Sequence, residues 1–130
     1  MPERYESERR EFVRIKIDIP IRYKFLSKSV EVTDEVFEGT TGDLGGGGIL
    51  MLGRIPNPGW YVGLLTQQIV VGVNLMLPAA VEPIKALCRV SWIEANETES
   101  GRVAMGLKFK EISRDSLDEI FKFVIKAQLK

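Results

Sequence analysis

From Ile15 the chain alternates: Ile15, Ile17, Ile19, Ile21, Tyr23 and Phe25 take the odd positions, and Lys16, Asp18, Pro20, Arg22 and Lys24 the even ones. A period of two places the two sets on opposite faces of a pleated strand, which predicts a strand with one buried face. Pro20 falls on the polar face, where its missing N–H suits an edge or a bulge. A second extended stretch, 30–41, carries Val30, Val32, Val36 and Phe37. Then come Gly42-Asp43-Leu44, four glycines from Gly45 to Gly48, and the apolar run Ile49-Leu50-Met51-Leu52. Pro56, Pro58 and Gly59 mark a turn. Further strands are expected at 60–66, 69–77, 84–94 and 102–110, with Asn96 to Gly101 as a hairpin loop.

The period changes only at the end. Leu117, Ile120, Phe121, Val124 and Ile125 recur at helical spacing and form one apolar stripe. Ser113 or Ser116 can cap its start, the latter with Glu119 in capping-box spacing, and Lys122, Lys126 and Lys130 complement its end. Many short strands and one final helix predict a small β-barrel whose open end the helix covers. The charged N-terminus, with Met1 and Tyr5 as its large apolar groups, reads as a mobile arm.

A chain of 130 residues is one domain long. Eighteen basic and eighteen acidic residues cancel, which argues against DNA or an anionic membrane as a partner for the whole surface. No histidine is present, which excludes Ser-His-Asp and Cys-His catalysis and removes the commonest metal ligand. The lone Cys88 has no disulfide partner, and a reducing compartment is expected. The N-terminus lacks the apolar core of a signal peptide, and the apolar stretches around 69–81 are too short to cross a bilayer, so membrane insertion is not expected and the cytoplasm is.

Two features carry candidate chemistry: Arg9, Arg10 and Arg14 ahead of the first strand, and the turn from Gly42 to Gly48 with Asp43 in it. Taken singly, arginines beside an arm are solvated charge, and glycines between strands serve a turn or bulge. Together they say more. Guanidinium forks grip phosphate, read the O6/N7 edge of guanine and stack on purines. A carboxylate accepts from the guanine amino and imino edge, and glycines admit an anion close to backbone N–H groups. That combination suits a guanine nucleotide.

The pieces Arg10-x-x-x-Arg14 and Asp43-x-Gly45-x-x-Gly48 resemble the RxxxR and [D/N]xSxxG signatures of PilZ domains, bacterial receptors for cyclic di-GMP. The resemblance extends over about residues 9–126 and includes Val90-Ser91-Trp92, the strand Gly106-Leu107-Lys108-Phe109 and a closing helix. It implies a mainly β fold: a six-stranded antiparallel barrel, PilZ-like and split, with a C-terminal α-helix. The chain would divide into a flexible arm, 1–8, and a barrel domain, 9–130, closed by a helix at 113–130. Arg10 and Arg14 would contact guanine and phosphate with Arg9 beside them, Asp43 would hold a guanine edge, and Gly48 would permit a close turn. The ligand would be cyclic di-GMP, without other cofactor or metal, and its binding would change the surface shown to an unidentified protein partner.

Gly45 occupies the family's serine position, so a ligand hydroxyl contact is missing. One neutral hydrogen bond contributes about 0.5–1.5 kcal/mol, or roughly three- to tenfold in affinity. The stretch 53–68 is longer than the family's usual link, with Trp60 and Tyr61 expected in the core. Trp92, Phe109 and Phe121 are read as packing, Phe123 as partly exposed, and Cys88 as a small buried hydrophobe. The acidic Glu31, Asp34, Glu35 and Glu38 form a solvated face. Two alternatives stand beside the sensor: a PilZ-like adaptor that has lost the ligand, and a barrel that binds single-stranded nucleic acid. For the latter, residues 9–28 carry seven basic and two acidic side chains, but Tyr23 and Phe25 face the apolar side. An enzyme is not expected, because no activated nucleophile, acid–base pair or metal set can be assembled.

Overall fold

The computed structural model describes residues 14–78, 80–95 and 101–129. Seven strands form one antiparallel sheet: β1 (Ile15–Lys16), β2 (Pro20–Ser27), β3 (Phe37–Leu44), β4 (Gly48–Arg54), β5 (Ile69–Leu75), β6 (Ile84–Ala95) and β7 (Arg102–Ile112). The order β1-β3-β2-β5-β6-β7-β4 returns to β3 through a β3–β4 pairing. Six strands therefore close a barrel and β1 is an extra strand on β3, which is the mainly β barrel with a C-terminal helix expected from the sequence. The helices are α1 (Tyr61–Leu65), entered through a 3-10 turn at Pro58–Trp60, and α2 (Arg114–Gln128).

The alternation from Ile15 is realised in the core: Ile19, Ile21, Tyr23 and Phe25 are each at most 1% exposed. The strand is not continuous, however. Between β1 and β2 the ladder opens, and Thr41 of β3 fills the gap: its buried hydroxyl donates to the Ile17 carbonyl and accepts from the Ile19 N–H. Pro20, which has no N–H to offer, opens β2 at this break, and its carbonyl accepts from Met76 N–H at 3.0 Å. Tyr23 points inward, and its hydroxyl accepts from Arg54 N–H and donates to Arg54 carbonyl. Burial pushes its pKa above the usual phenol value.

Two strand expectations are corrected. The stretch 60–66 is helical: the Asn57 side chain accepts from Gly59 N–H, Pro58 takes a first-turn position, and the chain coils into α1. Trp60 and Tyr61 do pack against the core, partly buried, with the Trp60 ring 5.3 Å from Phe25. The stretch 30–41 becomes a strand only at Phe37. Before it, the Ser27 hydroxyl accepts from Ser29 and Val30 N–H, and the Thr33 hydroxyl accepts from Glu35 N–H, local bonds that compete with a ladder. The strand then runs on through Gly42-Asp43-Leu44, so the turn is confined to the glycines that follow.

At the C-terminus the Ser113 hydroxyl, not that of Ser116, caps α2 by accepting from Ser116 N–H, and Ile120 and Val124 enter the core fully buried. Phe123 is partly buried against the core. No helix among the described residues is long and apolar enough to cross a membrane. The arm at 1–8, together with Arg9 and Arg10, lies outside the described residues, as does the expected hairpin loop apart from Gly101.

Replacing Thr41 by valine keeps the shape but leaves the Ile17 carbonyl and Ile19 N–H without their partner, and urea denaturation should show a loss of about 1–3 kcal/mol. Cys88 is buried on β6, and burial alone pushes its pKa from the ordinary thiol value of 9.0 up to about 12. With the folded value above the unfolded one, its contribution to stability is complete below pH 9.0 and is lost as the pH rises toward 12. A thiol reagent at neutral pH should label the native chain far more slowly than the denatured chain.

Candidate functional site

Arg14 stands directly before β1, and Asp43 lies near the end of β3. Pairing of Ile15 with Leu44 and of Lys16 with Asp43 brings the two side chains together although 29 residues separate them: Arg14 Nε donates to Asp43 Oδ1 at 3.0 Å. The Asp43 carboxylate reaches the surface because of a bulge. On β3, Thr41 pairs with Met51 and Asp43 with Leu50, leaving Gly42 as an extra residue. Strict alternation would turn Asp43 inward with Thr41. The bulge instead sends Leu44 into the core at 0% exposure and leaves Asp43 on the outside, one-fifth exposed.

The glycines after Asp43 are held on several sides. Gly45 N–H donates to the Gly48 carbonyl at 3.1 Å, and Phe109 N–H donates to the Gly47 carbonyl at the same distance. Phe121 of α2 lies against Gly46, and any side chain at Gly48 would collide with the Leu107 carbonyl of β7. Close approach by β7 is thus what requires glycine at 48. Among the described residues Gly101 is the only glycine with a positive φ, so these four do not owe their identity to left-handed backbone.

Arg14, Asp43, Gly47 and Gly48 form one wall of an open cleft of about 740 Å3. β6 and β7 line the rest of it with Arg89, Ser91, Trp92 and Lys108, the last directly paired with Gly48. Trp92 is 40% exposed, which corrects its reading as a packing residue. A second bulge is responsible: Val90 pairs with Leu107 and Trp92 with Gly106, so Ser91 is extra and the indole swings to the outer face. It lies against Gly106, where a Cβ would collide with its Nε1, while the Ser91 hydroxyl donates to the Gly106 carbonyl at 3.1 Å.

The cleft therefore offers three cationic side chains, one carboxylate and one exposed aromatic face. Of the expected site residues, Arg14 and Asp43 meet at its mouth, Gly48 lines it, and Gly45 is buried in the adjoining turn. Arg9 and Arg10 are outside the described residues. Arg89 belongs to no motif, and Trp92 and Lys108, although within the family-like segments, have no site role legible in the sequence, since only the strand register shows which of their faces reach the cleft. Among the described residues no group of three or more acidic or cysteine side chains is arranged to hold a metal ion.

Solved structures with the same fold include the Bacillus subtilis inhibitor of motility, MotI/DgrA, at TM-score 0.64 and 17% identity over 89% of this chain. Another is the MrkH–c-di-GMP complex of K. pneumonia, at TM-score 0.58 and 16% identity, also over 89%. The present chain spans 49% and 50% of the lengths of those two chains. It covers 97% of the PilZ domain of CeSA from a cellulose-synthesizing bacterium, with TM-score 0.52 and 19% identity over 88% of its own length. No curated protein sequence matches it. The model of the PilZ domain matches residues 8–126, nearly the whole length, and the chain belongs to the PilZ domain family.

Proposed function

We propose that this protein is a cyclic di-GMP receptor domain and that the dinucleotide occupies the cleft between the Arg14–Asp43 pair and the β6–β7 wall. The observation that carries the reading is the meeting of the two family motifs, through Arg14 and Asp43, at the mouth of a cleft with an exposed indole and two further cations. MrkH, with the same fold, is known as a complex with c-di-GMP.

Each group has a task suited to its chemistry. Asp43 accepts from the N1–H and amino group of a guanine. Arg14, with Arg9 and Arg10 from the preceding segment, supplies forked donors to phosphate oxygens and to the O6/N7 edge. Arg89 and Lys108 balance the second phosphate, and the Trp92 face stacks a purine. The existing Arg14–Asp43 pair is no obstacle. Arg14 is 43% exposed, and a pair this open to water contributes no more than about 1 kcal/mol, less than the charge-assisted bonds a ligand brings. Until the ligand arrives, the pair keeps both groups at the cleft.

Binding that gathers Arg9, Arg10 and Arg14 onto the barrel alters the surface beside the cleft, and through it the contact with a protein partner. Gly45 in the serine position favours a second reading, an adaptor that no longer takes the ligand. Isothermal titration with cyclic di-GMP separates the two, because no heat at high micromolar ligand sinks the receptor and leaves the adaptor.

Arg14→Ala and Asp43→Ala should each weaken binding at least tenfold with unchanged thermal unfolding; wild-type affinity in both variants would remove these residues from the site. Gly45→Ser should strengthen binding roughly three- to tenfold by restoring one hydrogen bond, a gain read from the dissociation constant. No positive φ at Gly45 stands against the serine side chain.

A further inference from the structure

A second concavity lies on the outer face of β2, β5, β6 and β7. Its volume is about 780 Å3, and none of its lining residues belongs to the dinucleotide cleft. The register explains its shape. Lys24 pairs with Gly72, Gly72 with Leu87, and Leu87 with Glu111, so one row of side chains crosses four strands with a bare position at Gly72. The neighbouring row carries Arg22, Asn74 and Lys85. A bulge completes it: Leu87 pairs with Glu111 and Cys88 with Phe109, which leaves Lys110 as the extra residue on β7 and exposed at the rim.

Four cationic side chains face one carboxylate here, Glu111. Arg22 is partly answered by Glu38 at 3.7 Å, whereas Lys24, Lys85 and Lys110 have no ion-pair partner among the described residues. The remaining surface is aliphatic: Leu26 is 38% and Val36 57% exposed, with Leu87 between the lysines.

We propose that this trough docks an extended acidic segment of a partner protein, with one apolar side chain of that segment seated over Gly72 against Leu26 and Leu87. Four strands about 4.8 Å apart span roughly 14 Å, the reach of four or five extended residues at about 3.3 Å each. Nucleic acid fits less well, since bases need aromatic platforms, and the aromatic residue lining the trough, Tyr23, is buried at 1% exposure with its hydroxyl engaged. A lipid surface fits less well too, because the apolar groups lie inside a concavity and not at a protruding rim. The inference does not depend on the dinucleotide.

The test is fluorescence anisotropy of the full chain with a labelled peptide of alternating glutamate and leucine. Saturable binding is expected, weakening with salt and falling about tenfold in K85E/K110E, with K85Q/K110Q intermediate. The glutamine pair keeps the aliphatic stems, so it carries the test should the reversed pair fail to fold. Cyclic di-GMP titrations should be unchanged in the lysine variants, and peptide binding unchanged in Arg14→Ala, so this inference and the receptor reading fail separately. Absence of peptide binding, binding indifferent to both lysine pairs, or tighter binding of oligothymidylate or phosphatidylglycerol vesicles through the same lysines overturns the proposal.

Discussion

The register of β3 is the constraint on which the candidate site depends. β3 is hydrogen-bonded on one edge to β1 and β2 and on the other to β4, and it carries one residue more than β4 requires. That residue, Gly42, lets Thr41 and Leu44 both point inward although three positions separate them. Asp43 is left outside as a consequence. Magnitudes show which term holds it there. Burying a leucine side chain contributes about 1.5–3 kcal/mol, and the Thr41 hydroxyl satisfies two backbone groups in the β1–β2 gap. The exposed Arg14–Asp43 pair contributes about 1 kcal/mol at most. Core packing positions the carboxylate, and the arginine then finds it.

This division explains what could be read from the chain alone. The buried face of β2 is plain in Ile19, Ile21, Tyr23 and Phe25, because a single-sided strand writes its orientation into a period of two. The stripe of α2 is equally plain, with Ile120 and Val124 at its centre. Arg14 and Asp43 were legible as motif residues, and their contact follows from antiparallel pairing of the segments that hold them. Trp92 was not legible. Counting by two from the buried Val90 places it inside, and only the extra Ser91 puts it out. The helical turn of α1 was hidden for a different reason: Trp60, Tyr61 and Val62 have strand-like composition, and the Asn57 cap with Pro58 overrides it locally.

The pairing of β6 with β7 contains both of the remaining irregularities. The extra Ser91 on β6 aims Trp92 at the cleft beside Arg14 and Asp43, and the extra Lys110 on β7 aims a lysine at the separate trough. Between them, Arg89 pairs with Lys108, two cations side by side on neighbouring strands at the cleft. Like charges placed opposite each other on a sheet disfavour the folded state. An anion lodged between them converts that repulsion into attraction, which makes the arrangement easier to understand as a binding surface than as a structural one.

Charge distribution joins the two concavities to the composition. Eighteen basic and eighteen acidic residues cancel over the whole chain, and that balance speaks against a uniformly cationic molecule. It does not govern surfaces a few strands wide, since exposed charges are screened beyond about 8 Å at physiological ionic strength. Glu31, Asp34 and Glu35 are exposed on the segment before β3, and Glu38 on its second residue, so part of the acidic complement is gathered there. Lys24, Lys85, Arg89, Lys108 and Lys110 stand on the barrel wall with Glu111 as the carboxylate lining the trough. The two groups meet at Val36, which lines the trough between Glu35 and Glu38, so a chain with no net charge still presents cationic strips a few strands wide, as the proposed anionic ligand and the proposed acidic peptide would each require. What the local register places side by side matters there more than the sum.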